Sequence, residues 1–121
     1  MTARDVGRVY GAGRVALGAG LLFAPGVLGR PWIGPSATLP PAQVALRALG
    51  ARDLIMGAIA LHTLDHPDVG PRWQRTCAAA DAVDALATLG ARRSLPAGAS
   101  LVAALAAAGA ATGLGVARAL R

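Results

Sequence analysis

The stretch from Ser94 to Ala117 contains no charged residue, and this feature limits the possible folds more than any other. About 20 apolar residues in a helix cross the ~30 Å hydrocarbon core of a bilayer. The stretch is also apolar or small on every side, so it lacks the polar face of a helix on a soluble protein. Pro96 precedes it, where a helix start tolerates proline. We therefore predict a transmembrane helix over residues 97–120.

Three less apolar segments precede this helix, and they predict helices over residues 6–23, 42–64 and 72–90. Prolines and glycines separate them. No segment alternates with the period of two that marks a strand. The proline-rich stretch 25–41 is predicted to be the longest connection, lying along the membrane interface. The prediction is thus an all-α fold, a four-helix transmembrane bundle that forms one domain over residues 1–121 of an integral, multi-pass protein of the bacterial cell membrane.

Composition excludes several other classes of protein. The chain is 55% hydrophobic and 15% charged, which is too apolar for intrinsic disorder, and its single cysteine excludes a disulfide scaffold. A soluble four-helix bundle needs polar outer faces, which the last helix lacks. Arg14 interrupts the first apolar run, which argues against a cleaved signal peptide. The net charge of +6 comes from scattered arginines rather than a basic stripe, so we predict no nucleic-acid partner.

The arginines in the connections and near the ends of the predicted helices indicate an orientation. With four spans, both termini and the 65–71 loop share one side of the membrane. That side holds Arg4, Arg8, Arg72, Arg75, Arg118 and Arg121, whereas the other holds Arg30, Arg92 and Arg93. Because positive residues favour the cytoplasmic side, we predict that the N-terminus and the C-terminus are both cytoplasmic.

Six charged residues lie well inside the predicted spans, away from their ends, and form the candidate site. They are Arg14, Arg47, Arg52, Asp53, Asp81 and Asp84. A charge at the bilayer centre costs about 2.5–3.5 kcal/mol on insertion scales, so these side chains should face the bundle and pair. Arg52 lies sixteen residues before Asp68 and Asp84 sixteen after it, which predicts equal depths in antiparallel helices. Three arginines and three aspartates predict a neutral cluster at the midplane, in which Asp81, Asp84 or both lie within salt-bridge reach of Arg14 or Arg52.

Small and polar residues recur at helical spacing on three of the predicted helices. Cys77, Asp81, Asp84 and Thr88 form one stripe, and Gly7, Gly11, Arg14 and Gly18 form another. Arg47, Gly50, Asp53 and Gly57 are expected to share a third. Small residues let helices approach closely in lipid. For the same reason, Gly109 and Gly113 predict a homo-oligomer through glycine faces.

The remaining candidates for chemistry give weaker signals. His62, Asp65, His66 and Asp68 carry metal-ligating groups, but they match no established ligand spacing, and a solvated loop explains them equally well. We therefore predict no metal. Cys77 has no cysteine partner or catalytic histidine beside it. No phosphate loop, nucleophile elbow or dinucleotide motif is present, so we predict no cofactor.

The cluster leaves three functions open. The first is a binding or transport-related membrane component for a small molecule or ion. The second is a membrane enzyme in which Asp81 or Asp84 is the general acid for a lipophilic substrate. The third is a structural or accessory subunit. The expected partners are the lipid bilayer and a lipophilic small molecule. A cavity beside the cluster would favour the first two functions, whereas a dry and fully paired cluster would favour the third.

Three segments of the chain resemble a known family. They are GRVALGAGLLFAPGVLGRPWIGP, RALGARDLIMG and DAVDALATLGARR. Together they are similar to a family of short uncharacterised four-span bacterial membrane proteins, a domain of unknown function. The first helix also resembles the opening of DoxX-like proteins, which are four-helix membrane proteins. These resemblances imply a fold and assign no activity.

Overall fold

A computed structural model describes every residue from Met1 to Arg121, and it is entirely helical, as predicted. Five helices follow one another: α1 (Ala3–Phe23), α2 (Pro25–Ile33), α3 (Pro40–His62), α4 (Val69–Gly90) and α5 (Gly98–Ala119). Short segments of 3-10 helix cover Gly34–Thr38 and Arg92–Ser94. The four long helices begin and end within three residues of the predicted bounds.

Helix α2 lies where a connection was predicted, so the count of four helices was wrong. Pro25 stands at its start, where the missing N–H has no helical partner to lose. Gly34 ends it with a φ of 74°, a conformation that side chains disfavour. Prolines in this stretch therefore begin a helix instead of only interrupting one. The segment Pro25–Thr38 turns 104° away from α1 and crosses one end of the long helices.

The starts of the long helices follow from local sequence. Thr2 and Asp5 form a capping box at the start of α1, in which each side chain accepts from the other residue's backbone N–H. The Thr2 backbone N–H lowers the pKa of the exposed Asp5 carboxyl. Pro40 and Pro41 occupy the first turn of α3. Alanine, the best helix former, fills much of α4 and α5.

The long helices pack as two pairs, α1 with α3 and α4 with α5. In the first pair the backbones nearly touch at glycines. A Cβ on Gly50 would lie 2.6 Å from the Gly18 carbonyl oxygen, and one on Gly57 would lie 2.9 Å from that of Gly11. Such positions exclude any side chain, and close approach of this kind is typical of helices packed in lipid.

Gly109 and Gly113 serve the second pair in the same way. A Cβ on Gly109 would lie 2.5 Å from Asp81 Oδ2, and one on Gly113 would lie 3.0 Å from Ala78 Cβ. The glycine face that predicted a homo-oligomer is therefore occupied within the chain. A homo-oligomer stays a prediction, and it needs another surface.

Large apolar side chains lie mostly outside this fold and small ones inside. The buried apolar residues are chiefly alanines, such as Ala60, Ala78 and Ala117. Leu17, Ile55, Val83 and Leu105 lie near the middle of α1, α3, α4 and α5, and each side chain is more than half exposed. Soluble domains bury residues of this type.

By length and hydropathy, α5 alone is able to cross a membrane unaided, and only 22% of its most apolar stretch is buried. The bent pair of α1 and Pro25–Thr38 passes the same test when taken together. Helices α3 and α4 do not pass it. Charged residues lower their mean hydropathy, three in α3 (Arg47, Arg52 and Asp53) and four in α4 (Arg72, Arg75, Asp81 and Asp84).

Candidate functional site between the two helix pairs

Arg14 joins three helices at the centre of the molecule. It lies on the buried face of α1, in line with Gly7, Gly11 and Gly18. Its Nη1 donates to Asp53 Oδ1 on α3 at 2.7 Å, and its Nη2 pairs with Asp81 on α4. Nη2 also donates to the Cys77 carbonyl oxygen at 3.0 Å. The Arg14 side chain is only 4% exposed, and these partners replace water at Nη1 and Nη2, whereas the buried Nε has no hydrogen-bond partner.

Arg52 extends the same network towards the far end of α4. Its Nη2 lies 2.6 Å from Asp84 Oδ2 and 3.2 Å from Asp53 Oδ1. The five side chains thus alternate in the order Asp81, Arg14, Asp53, Arg52 and Asp84, which we call the Arg/Asp chain. Each guanidinium lies between two carboxylates, and a carboxylate stands at both ends. The Arg/Asp chain therefore contains one more carboxylate than guanidinium.

Arg47 lies apart from the other five residues, and its inclusion in the cluster was wrong. Its side chain is exposed, and its Nε donates to the Leu22 carbonyl oxygen at 3.3 Å. The buried position one turn before Gly50 belongs to Leu46 instead. Arg47 sits in the second turn of α3, from which a long side chain easily reaches polar surroundings. The expected neutral set of three arginines and three aspartates is therefore not formed.

Two aromatic residues that the sequence analysis did not assign to the site complete it. The Tyr10 hydroxyl donates to Asp81 Oδ2, and the ring lies beside the Arg14 guanidinium, 5.7 Å from centroid to Cζ. Trp32 on α2 donates from Nε1 to Thr88 Oγ1 at 3.0 Å. Tyr10 precedes Arg14 by four residues, so helical spacing already placed the two together. No sequence signal placed Trp32, because α2 itself was missed.

A cavity of about 410 Å³ lies against the Arg/Asp chain. Tyr10, Arg14, Asp53, Asp81 and Asp84 form its polar side. Leu49 of α3 and small or apolar residues of α1, α2 and α5 form the rest, among them Leu21, Leu28, Trp32, Val102 and Leu105. Val9 and Leu105 also line it and are 63% exposed, so it opens sideways between α1 and α5. Volumes of ~300–1,000 Å³ with mostly apolar walls are typical of small-molecule sites.

The three aspartates differ in which oxygens remain free. Both oxygens of Asp81 are engaged, by Arg14 and by Tyr10, and both oxygens of Asp84 bind Arg52. Asp53 receives every one of its hydrogen bonds at Oδ1, which leaves Oδ2 without a partner. Neither aspartate considered as a general acid therefore offers an open oxygen. The free acceptor in the cavity belongs to Asp53.

The residues considered for a metal lie at the turn between α3 and α4 and do not converge. Asp65 pairs with Arg4 at 3.0 Å, and His66 Nδ1 accepts the backbone N–H groups of Asp68 and Val69. His62 is exposed at the end of α3. No group of three or more histidines, cysteines or acidic residues in the chain is placed to hold a metal ion.

The Arg52–Asp84 pair can be tested with a double-mutant cycle. Arg52→Gln and Asp84→Asn should each lower the unfolding free energy, because each leaves a partly buried charge short of a partner. The double variant should recover part of that loss, with a coupling of about 0.5–3 kcal/mol. The measurement is denaturant unfolding in detergent, followed by circular dichroism.

The exposed pair Asp5 and Arg8 is the matched control for this cycle. Asp5→Asn with Arg8→Gln should show a coupling of only ~0.2–1 kcal/mol. Strictly additive effects of the Arg52 and Asp84 substitutions would show that the pair contributes nothing to stability.

Comparison with protein families, curated proteins and solved structures finds nothing that matches this chain. The resemblance to four-span bacterial membrane proteins stays a prediction. Function must therefore be argued from the site itself.

Proposed function

We propose that this chain is a membrane-embedded binding protein for a lipophilic small molecule, which enters sideways from the bilayer. The observation that carries the proposal is the cavity between α1, α2 and α5, which has apolar walls and the Arg/Asp chain on one side. Its opening between exposed apolar side chains faces the region that lipid would occupy. Binding is a component of transport, and a transport role would use this same cavity.

The distribution of charge on the surface supports the membrane setting. Every exposed charged side chain lies in a connection or within eight residues of a helix end. The charged residues in the middle of α1, α3 and α4 turn towards one another instead. The four long helices have 21–23 residues, and at ~1.5 Å per residue such helices match a ~30 Å hydrocarbon core.

The same arrangement supports a topology with four spans and both termini in the cytoplasm. Gly7 near the start of α1 lies against Val116 near the end of α5, so the termini emerge at one end of the bundle. Arg4, Arg8, Arg118 and Arg121 gather at that end, which the positive-inside rule assigns to the cytoplasm. Helix α2 then lies across the opposite end, near the other interface.

Binding is favoured over the two alternative functions. Asp81 and Asp84, the candidate general acids, have no free carboxylate oxygen. A purely structural set of ion pairs would have no need of a cavity, because apolar packing around it would be more stable. The cavity therefore separates this site from a structural cluster.

The test uses fluorescence of the cavity tryptophan. In a Trp73→Phe background Trp32 is the only tryptophan, and it lines the cavity. After purification from the membrane fraction, 1-bromooctane should quench Trp32, because bromine quenches only fluorophores that it contacts. Gly13→Leu should reduce this quenching, since Gly13 lines the cavity and a Cβ there would meet no atom within 4 Å.

The matched control is Ala12→Leu, which adds a similar bulk at the next residue of α1, exposed and outside the cavity. Quenching in this variant should equal that of the parent. Equal quenching of all three proteins would refute entry through the cavity, and recovery of the chain in the soluble fraction would refute the membrane setting.

A further inference from the structure

Charge on the cavity wall distinguishes one class of lipophilic ligand from the others. Asp53, Asp81 and Asp84 line the cavity, whereas Arg14 is the only arginine that does. Arg52 contacts Asp53 and Asp84 but does not line the cavity. Because the whole Arg/Asp chain already has one excess carboxylate, a group that enters the cavity meets net negative charge.

One acceptor in this wall lacks a donor. Asp53 is only 5% exposed, and both arginines bind its Oδ1, so Oδ2 has no hydrogen-bond partner. The Oδ2 atom itself remains accessible, because it is not one of the fully buried side-chain atoms that lack a hydrogen-bond partner. A ligand that brings an N–H group can therefore reach this oxygen, and a charged donor would form the stronger bond.

The aromatic side chains at the cavity favour the same kind of group. Trp32 and Tyr10 both line it. The faces of tryptophan and tyrosine rings attract cations, and the attraction is stronger where water is excluded. An anionic head group would instead be repelled by the three carboxylates, since Arg14 is already shared between Asp53 and Asp81.

We infer that the ligand is a lipophilic amine, with its protonated ammonium group at Asp53 Oδ2 and its hydrocarbon part against Leu28, Val102 and Leu105. The ammonium group supplies the positive charge that the Arg/Asp chain lacks. The apolar walls formed by α2 and α5 contact the hydrocarbon part of the amine, and the sideways opening lets the remainder of the amine stay in lipid. This inference rests on the proposed binding function and specifies its ligand.

The experiment compares three probes with the same chain length, 8-bromooctylammonium, 8-bromooctanol and 8-bromooctanoate, by quenching of Trp32 in the Trp73→Phe background. For each probe, the concentration that half-quenches Trp32 in Gly13→Leu is divided by the concentration that does so in Ala12→Leu. This ratio cancels partitioning into detergent and rises with the affinity for the cavity. It should be about tenfold larger for the ammonium probe than for the alcohol, which is the effect of one hydrogen bond to a charged group. The carboxylate should show no difference between the two variants.

A second variant tests the acceptor directly. Asp53→Asn removes the charge at Oδ2, and it should abolish the preference for the ammonium probe over the alcohol while 1-bromooctane still quenches Trp32. Should Asp53→Asn fail to fold, the three-probe comparison alone decides the question.

The outcomes separate the two proposals. Equal binding of the ammonium and alcohol probes, or tighter binding of the carboxylate, would overturn the inference of an amine and leave the binding function in place. If no probe, 1-bromooctane included, distinguishes Gly13→Leu from Ala12→Leu, the binding function falls, and the inference falls with it.

Discussion

Replacing Arg14 with methionine should lower the unfolding free energy by about 3–5 kcal/mol, the usual cost of leaving buried charges without their partner. Arg14 is the one residue that contacts both Asp53 and Asp81, and both of these carboxylates are largely buried. Methionine keeps much of the side-chain volume, so the loss reports the missing charge. Denaturant unfolding in detergent, followed by circular dichroism, measures it.

Arg47→Met is the matched control, because Arg47 is exposed and has no carboxylate partner. It should change stability by no more than about 0.5 kcal/mol. Adding Asp81→Asn to Arg14→Met should recover part of the loss, since one stranded carboxylate is then neutral. Equal losses in Arg14→Met and Arg47→Met would contradict a structural role for the Arg/Asp chain.

Gly18→Ala should lower the unfolding free energy by about 1–3 kcal/mol, the range measured for overpacked cores. The added Cβ would lie 2.6 Å from the Gly50 carbonyl oxygen and 3.0 Å from the Asp53 carbonyl carbon. Both are backbone atoms, which cannot rotate away, so α1 and α3 must separate. Arg14 lies one turn from Gly18, and its bond to Asp53 should weaken as well.

The same substitution at Gly13 should have the opposite sign. A Cβ there meets no atom within 4 Å, and alanine is favoured over glycine in a helix by about 0.5–1 kcal/mol. Gly13→Ala should therefore stabilise the protein while Gly18→Ala destabilises it, in the same unfolding assay. No loss of stability in Gly18→Ala would show that α1 and α3 do not meet this closely, and a loss in Gly13→Ala would show that Gly13 does not face open space.

Helical spacing predicted the buried faces because the residues on one face of a helix follow from the sequence of that helix alone, whichever helices pack against it. The stripe of Gly7, Gly11, Arg14 and Gly18 is buried as a unit, and depth counting from the α3–α4 turn placed Arg52 opposite Asp84. The same reasoning gave the wrong result for Arg47. This residue lies at the edge of its stripe, where a shift of one residue along the helix decides between a buried and an exposed position.

The parts that could not be predicted depend on contacts between segments distant in the sequence. Helix α2 has prolines that are typical of connections, and its inward position depends on the Trp32–Thr88 hydrogen bond, 56 residues apart. The cavity exists because three helices fail to fill the space between them, and no local pattern encodes a void. Which oxygen of Asp53 stays free likewise depends on two arginines from different helices.

In the proposed membrane setting, the division into two helix pairs has a consequence for how the chain would enter a bilayer. The pair α1 and α3 brings Arg14, Arg52 and Asp53, one excess positive charge, and the pair α4 and α5 brings Asp81 and Asp84, two negative charges. Either pair alone would place unmatched charge in the hydrocarbon, which is costly. The pair α1 and α3 is therefore unstable in lipid by itself, and we expect it to remain beside the translocation machinery until α4 and α5 have been synthesised.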